Sequence, residues 1–232
     1  YMAEFPGEVD VVPEYIGGIS DFLNVQANGP EAEPITTNDP EESIEAARPL
    51  LEEQGITLLE PSEATSQNAY FVTEKFAEAE DVEELSDLRG RSMVLAAHPD
   101  CEGRDDCEKG LRDVYGIDIT KVLPLGFASP QTYEAVLSGE ADLGQTGTTD
   151  GTLESQGLVM LEDDKGIQPA QNLVPAVSTE FLEENEDVAD PLNELMAALD
   201  NETLGELIAR VTVDREKAQD VATDFLTEEG LI

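Results

Sequence analysis

The chain contains no tryptophan, a single histidine (His98), and only 12 lysines and arginines against 53 aspartates and glutamates. So few basic residues exclude nucleic acid as a partner, because phosphate binding needs clustered Lys and Arg. They also argue against an anionic membrane surface. With one histidine, a Ser-His-Asp triad has only His98 to be built on, and no Gly-x-Ser-x-Gly elbow accompanies it. The P-loop, Gly-x-Gly-x-x-Gly and His-Glu-x-x-His patterns are absent as well. Nothing selects one pair of carboxylates for glycosidase chemistry, and a sugar site usually wants tryptophan. No apolar run approaches the roughly 20 residues that a membrane-spanning helix requires.

What is present is acid. The net charge is −41 over 232 residues. The carboxylates are spread among apolar, periodic segments rather than gathered in a tail, so they read as a solvated surface and not as disorder. Such a surface repels itself at low salt and is tolerable once salt shortens the screening length to roughly 3 Å at 1 M. We infer a halophilic source. It follows that no single carboxylate is evidence of a site. Hydrophobic residues make up 40% of the chain, enough for a real core, and the length suits one large domain or two lobes of about 100 residues.

Two cysteines, Cys101 and Cys107, stand close in sequence. A disulfide here would contribute roughly 2 kcal/mol in the chain-entropy model and would imply an oxidising compartment. Two free thiols are the plainer alternative, and a metal site using His98, Cys101 and Cys107 is a third. That last reading lacks both a Cys-x-x-Cys pair and a fourth soft ligand.

Strand and helix patterns alternate, which points to an α/β protein with mostly parallel sheets. Apolar β runs fall at 9–12, 56–59, 92–97, 122–127, 141–144, 158–161 and 173–177. Helical spacing marks 41–53, with Ile44, Ala47, Leu50 and Leu51 on one face. Ser129 before Pro130 opens another helix, which Gly139 ends. The last third is helical at 179–184, 191–199, 202–210 and 215–228, while Pro and Gly make 26–40 a loop. The first strand is stopped by Pro13-Glu14-Tyr15-Ile16-Gly17-Gly18, so it ends by presenting a tyrosine on a glycine-flanked turn. In open sheets, ligands sit beyond the carboxyl ends of strands. This strand has too little sequence before it for a parallel partner and a crossover helix. The chain therefore reads as starting inside a domain, with a first βα element missing.

Several polar stretches lie between these elements: Asn68-Ala69-Tyr70, His98 to Asp105 with Arg104, Thr149-Asp150-Gly151, and Glu162-Asp163-Asp164-Lys165. Each alone is an ordinary turn or strand end. In this order they resemble the substrate-binding proteins of osmoprotectant ABC transporters, which take glycine betaine, choline or carnitine. Val11-Val12-Pro13-Glu14-Tyr15-Ile16-Gly17, Ser86-Asp87-Leu88, Gly110-Leu111, Val114-Tyr115-Gly116, Ser138-Gly139-Glu140-Ala141-Asp142 and the closing Phe225-Leu226 to Gly230-Leu231 complete the series, which spans essentially the whole chain.

The resemblance implies a two-lobed, periplasmic-binding-protein-like α/β fold of the class II type. Its lobes are joined by two crossings: residues 1–71 with 172–232 form one, and 72–171 the other. It implies a monomer outside the cytoplasm, in the periplasm or at the cell surface, anchored through the missing N-terminus. Such a protein delivers a quaternary ammonium or zwitterionic solute to an ABC permease as its lobes close. No catalysis and no cofactor are implied. The solute is held in an interlobe cleft by a tyrosine box, since a quaternary ammonium donates no hydrogen bond and aromatic faces must replace its water. Tyr15 and Tyr70 match two box walls, and Arg104 matches the arginine that meets a carboxylate. Asn68, Thr149, Asp150, Gln171 and Asn172 complete the expected contacts. The plainer alternatives are hinge packing for the two tyrosines and pairing with a neighbouring acid for Arg104. Two expected walls are replaced, by Gly147 and by Gln171, and Gly18 stands where relatives often have threonine. An enzyme, a ligand sensor or a receptor for a different polar solute therefore remain as rival readings on the same fold.

Overall fold

A computed structural model describes residues 4–232. In chain order the elements are β1 (Val11–Tyr15), α1 (Ile16–Asn28), α2 (Pro40–Gln54), β2 (Ile56–Leu58), β3 (Asn68–Thr73), α3 (Glu74–Glu80), β4 (Ser92–Ala97), α4 (Glu108–Asp113) and β5 (Asp118–Pro124). They continue as α5 (Pro130–Ser138), β6 (Leu143–Gly147), β7 (Leu158–Leu161), β8 (Leu173–Ser178), α6 (Thr179–Glu184), α7 (Ala189–Ala197), α8 (Asn201–Thr212) and α9 (Ala218–Glu228). The chain divides into two compact units, Tyr1–Ser66 with Pro169–Ile232, and Gln67–Gln168. These boundaries fall a few residues before those read from the sequence. The reason is β3, whose partners β6 and β7 both lie in the second unit, so the whole of Asn68–Thr73 goes with them.

The first unit carries a three-stranded sheet of order β1-β8-β2. Both pairings are antiparallel, so β1 and β2 run parallel to each other on either side of β8. The expectation of mostly parallel sheets therefore fails in this unit, and in the other it holds only for β5, β4 and β6. Helices α1 and α2 close a core of Phe5, Ile19, Leu23, Ala47, Leu51, Ile56 and Ala176. The sequence reads Pro13 to Gly18 as a turn; instead α1 starts directly at Ile16. Two glycines disfavour a helix start by propensity, but Gly17 is fixed by packing. A Cβ there would meet Gln171 Nε2 at 2.6 Å and the Ala170 carbonyl at 2.8 Å. Helix α2 follows its sequence signals, with Asp39 accepting from Glu42 N and Gly55 in the left-handed region at its end.

The second unit carries a five-stranded sheet of order β5-β4-β6-β3-β7. Strand β4 is parallel to β5 and β6, and β3 is antiparallel to β6 and β7. Side chains alternate faces along a strand. Tyr70, Val72, Leu95 and Ala97 join one core with Cys101, Cys107, Leu111 and Tyr115. Phe71 and Ala96 join the other, with Leu123, Val136 and Leu158. Both faces are covered, which is why these strands read as continuous apolar runs. Helix α5 has the Ser129 cap, which accepts from Thr132 N, and the left-handed Gly139 stop expected from sequence. Among the described residues no helix is long and apolar enough to cross a membrane.

Candidate functional site

The parallel strands fix where ligand chemistry in the second unit belongs. Strands β4, β5 and β6 run the same way, so the loops after Ala97, Pro124 and Gly147 leave one edge of the sheet. Asn68 opens β3 opposite Gly147 and lies at that same edge. Asn68, the loop carrying Arg104, and Thr149 with Asp150 thus collect at the carboxyl ends of the parallel strands.

A connected set of polar groups holds this edge. Arg104 grips the Asp106 carboxylate with two donors, Nε at 2.8 Å and Nη2. Asn68 Nδ2 donates to the same carboxylate at 3.2 Å and to Gln168 Oε1 at 3.2 Å. Its Oδ1 accepts from Gln145 Nε2 at 3.2 Å. Gln145 Oε1 in turn takes His98 N at 2.9 Å. Gln168 Nε2 and the Tyr70 hydroxyl both donate to the Asp106 carbonyl, at 2.8 and 3.0 Å. A satisfied network of this kind rigidifies what it connects. The Asp106 bond holds the Arg104 guanidinium firmly protonated, and half of its side chain stays exposed.

Tyr70 differs from its expected role. It is 1% exposed and packs in the core beside the cysteines. Burial, then the nearby Asp106 charge, pushes its phenol upward. The ring belongs to a strand covered on both faces and is not an open wall of its unit; only its hydroxyl reaches the network.

Asp150 is likewise occupied. Its Oδ2 accepts from the Tyr133 hydroxyl at 2.6 Å and Thr146 Oγ1 at 2.5 Å. Its Oδ1 accepts from Thr152 N at 3.0 Å and Thr152 Oγ1 at 2.6 Å. Burial pushes this carboxyl up, but the hydroxyls of Thr146, Thr152 and Tyr133 and the Thr152 N–H together hold it below its usual range. The Tyr133 phenol is pushed up to about 12 by burial and by its bond to Asp150. Thr149 is half-buried beside this turn. At Gly147 an added Cβ would meet the Phe127 ring at 3.3 Å.

Cys101 and Cys107 form a disulfide with Cα atoms 5.3 Å apart. The metal reading fails because neither sulfur is a free thiolate. His98 lies on the loop beside them, with Nδ1 accepting from Asp100 N at 3.2 Å. Gly110 locks the same loop, since a Cβ there would sit 2.0 Å from the Asp105 carbonyl. Reducing the disulfide should cost about 2 kcal/mol, as expected for so short a closed loop. Urea unfolding with and without reductant, set against the Cys101→Ala/Cys107→Ala variant, measures it. Coincident midpoints would remove the bond from the stability of this loop.

In the first unit, Tyr15 ends β1 opposite Leu173 and precedes α1 without capping it by side chain. It is half-buried. Orphan N–H groups of the α1 N-terminus are taken by one segment of chain. Ile16 N donates to the Asn172 carbonyl at 3.1 Å and Gly17 N to the Ala170 carbonyl at 3.0 Å. Gly18 N donates to Gln171 Oε1 at 3.2 Å. Asn172 Nδ2 anchors this segment on the Ser62 carbonyl at 3.0 Å. Gln171 and Asn172 are thus brought to Tyr15, where Gln171 works as a helix cap. Burial raises the neighbouring Glu14 carboxyl, against the lowering effect of the Tyr15 N–H it accepts.

Sequence reasoning missed Asp106, Gln145 and Gln168. Gln145, 3% exposed, directly follows the apolar run 141–144, which was the available signal; Gln168, equally buried, lies in a polar turn and carried none. Asp106 had none, being one acid among many.

Residues 3–228 match the family described as the substrate binding domain of ABC-type glycine betaine transport systems. The glycine-betaine-binding protein of Pseudomonas aeruginosa is 28% identical over 99% of this chain and 75% of its own length. The glycine betaine-binding protein YehZ of Escherichia coli K12 is 26% identical over 97% of this chain and 75% of its length. The solved apo structure of YehZ covers 99% of this chain and 84% of its own, with a TM-score of 0.80. A glycine betaine/carnitine/choline ABC transporter crystal structure, 21% identical, covers 99% of this chain and 82% of its own with a TM-score of 0.81, a likeness of fold.

Proposed function

Because the chain belongs to the substrate-binding domain family of ABC-type glycine betaine transport systems, we propose that it is the extracytoplasmic solute receptor of an ABC importer. Its ligand is a small quaternary ammonium or zwitterion of the glycine betaine, choline and carnitine class. The single observation that carries this reading is a family match running through nearly the whole chain, residues 3–228. The site chemistry supports it: a half-exposed Arg104 suits a carboxylate, and half-buried Tyr15 offers an aromatic face. Asn68, Thr149, Gln171 and Asn172 are the candidate polar contacts. Tyr70 and Asp150 serve by holding the groups around them. The disulfide agrees with an oxidising location outside the cytoplasm.

Isothermal titration at high salt against glycine betaine, choline, carnitine and proline betaine tests the reading. Heat and saturation with at least one of them is expected. Silence against all would reject the ligand class.

The acid surface makes a separate prediction. Raising KCl from 0.1 to 2 M should lift the melting temperature by about 10 °C as screening relieves self-repulsion. A flat or falling melting curve over that range would remove the halophilic reading.

A further inference from the structure

The second unit holds six aromatic residues, Tyr70, Phe71, Phe76, Tyr115, Phe127 and Tyr133, and five of them are committed. Tyr70, Phe71 and Tyr115 are at most 1% exposed. Phe76 is partly buried against the core beneath the Arg91 guanidinium. Tyr133 leans on Phe71 and gives its hydroxyl to Asp150. Phe127 alone is open, at 46%.

Its place is not incidental. Phe127 lies in the loop after β5, at the edge where the parallel strands end. That loop is tightly held. Leu125 N and Gly126 N both donate to the Ala97 carbonyl, at 3.0 and 3.1 Å, and Ala128 N donates to the Gln145 carbonyl at 3.3 Å. Ser129 Oγ donates to the Leu125 carbonyl at 2.7 Å and Thr132 Oγ1 to the Gly126 carbonyl at 2.8 Å. Ala128 sits at φ +45°, a conformation that a non-glycine residue keeps only when its surroundings over-determine it. The backbone is strained next to an exposed apolar ring. The ring tip stands 3.3 Å from where a Cβ of Gly147 would be, so the missing side chain at 147 is what makes room for it.

We propose that Phe127 is the aromatic face with which this unit meets the quaternary ammonium, its ring seated by its tip against Gly147 and open to solvent at the strand ends. A trimethylammonium group donates no hydrogen bond, so its stabilisation must come from ring faces and apolar contact. A preorganised ring at the strand ends supplies both without an ordering cost. The inference rests on the ligand class proposed above.

The test is titration of the full chain in 2 M KCl with choline and with its neutral isostere 3,3-dimethylbutan-1-ol, for wild type, Phe127→Leu and Phe127→Trp. Phe127→Leu is expected to weaken choline roughly tenfold and to erase most of the preference for choline over the isostere. Phe127→Trp should keep both. Unchanged melting of Phe127→Leu, expected for an exposed side chain, separates this loss from unfolding. Gly147→Ala gives a second check that leaves the ring in place. Its Cβ forces the ring aside by a few tenths of an ångström, and choline should weaken a few-fold. Phe127→Leu with wild-type choline affinity and preference would overturn the inference while leaving the receptor reading intact. A wild-type chain silent toward choline, glycine betaine and carnitine would overturn both.

Discussion

Replacing Asp150 by alanine should destabilise the chain by about 3 kcal/mol, the largest loss expected from any single exposed-edge position, because it strips several donors of one acceptor. The carboxylate takes the Tyr133 and Thr146 hydroxyls on one oxygen and the Thr152 amide and hydroxyl on the other. Thr146 is fully buried, so its hydroxyl has no water to turn to. Asp150→Asn should recover part of the loss, since one acceptor oxygen remains while an NH₂ group faces donors. The pH dependence follows from the direction of the shift. The folded carboxyl titrates below its ordinary value, so its contribution is fully present above the unfolded pKa of about 4. It is lost as pH falls through the lower folded value. Urea midpoints measured at pH 7 and pH 3 read both effects. Equal wild-type and Asp150→Ala midpoints at pH 7 would show that the four bonds contribute nothing net.

That aspartate also illustrates what a sequence can and cannot reveal. Thr149-Asp150-Gly151 was legible as a turn after a strand, and as part of an ordered series that marked the family. Its partners Tyr133, Thr146 and Thr152 come from α5, β6 and the following loop, and nothing in local spacing announces that they converge. Elements with local signals were read well. Ser92–Ala97 and Leu158–Leu161 have the bounds expected from their apolar runs, and α5 begins and ends at its Ser-Pro and Gly signals. Helix α1 was hidden by Gly17 and Gly18; the reason for Gly17 is tertiary, because the chain at Ala170 and Gln171 approaches too closely for a side chain there. Tyr70 was misplaced for a related reason. Asn68 to Thr73 is covered on both faces, so its pattern shows neither which residues point outward nor that this tyrosine points inward. Phe127 could not be singled out before the glycine at 147 was seen beneath it.

Replacing Arg104 by alanine should weaken glycine betaine and carnitine by about 2–3 kcal/mol, roughly 30- to 150-fold, while choline loses at most a few-fold. The difference arises because only the first two carry a carboxylate. The guanidinium has five N–H donors. Asp106 occupies the Nε donor and one on Nη2, and among the described residues no acceptor engages Nη1. With half of the side chain exposed, those remaining donors are available to a solute carboxylate. Asp106 then does two things. It fixes the plane of the fork, and through Asn68 it ties that plane to the strand ends. Arg104→Lys should therefore behave more like alanine than like arginine toward carboxylate ligands, because an ammonium cannot hold Asp106 with one edge and present a second. Asp106→Asn should leave choline unaffected but lower glycine betaine affinity, since the fork loses its orientation. Titration of each variant with glycine betaine and with choline decides the matter. Equal losses for glycine betaine and choline in Arg104→Ala would show that the arginine only pins its loop through Asp106 and reads no carboxylate.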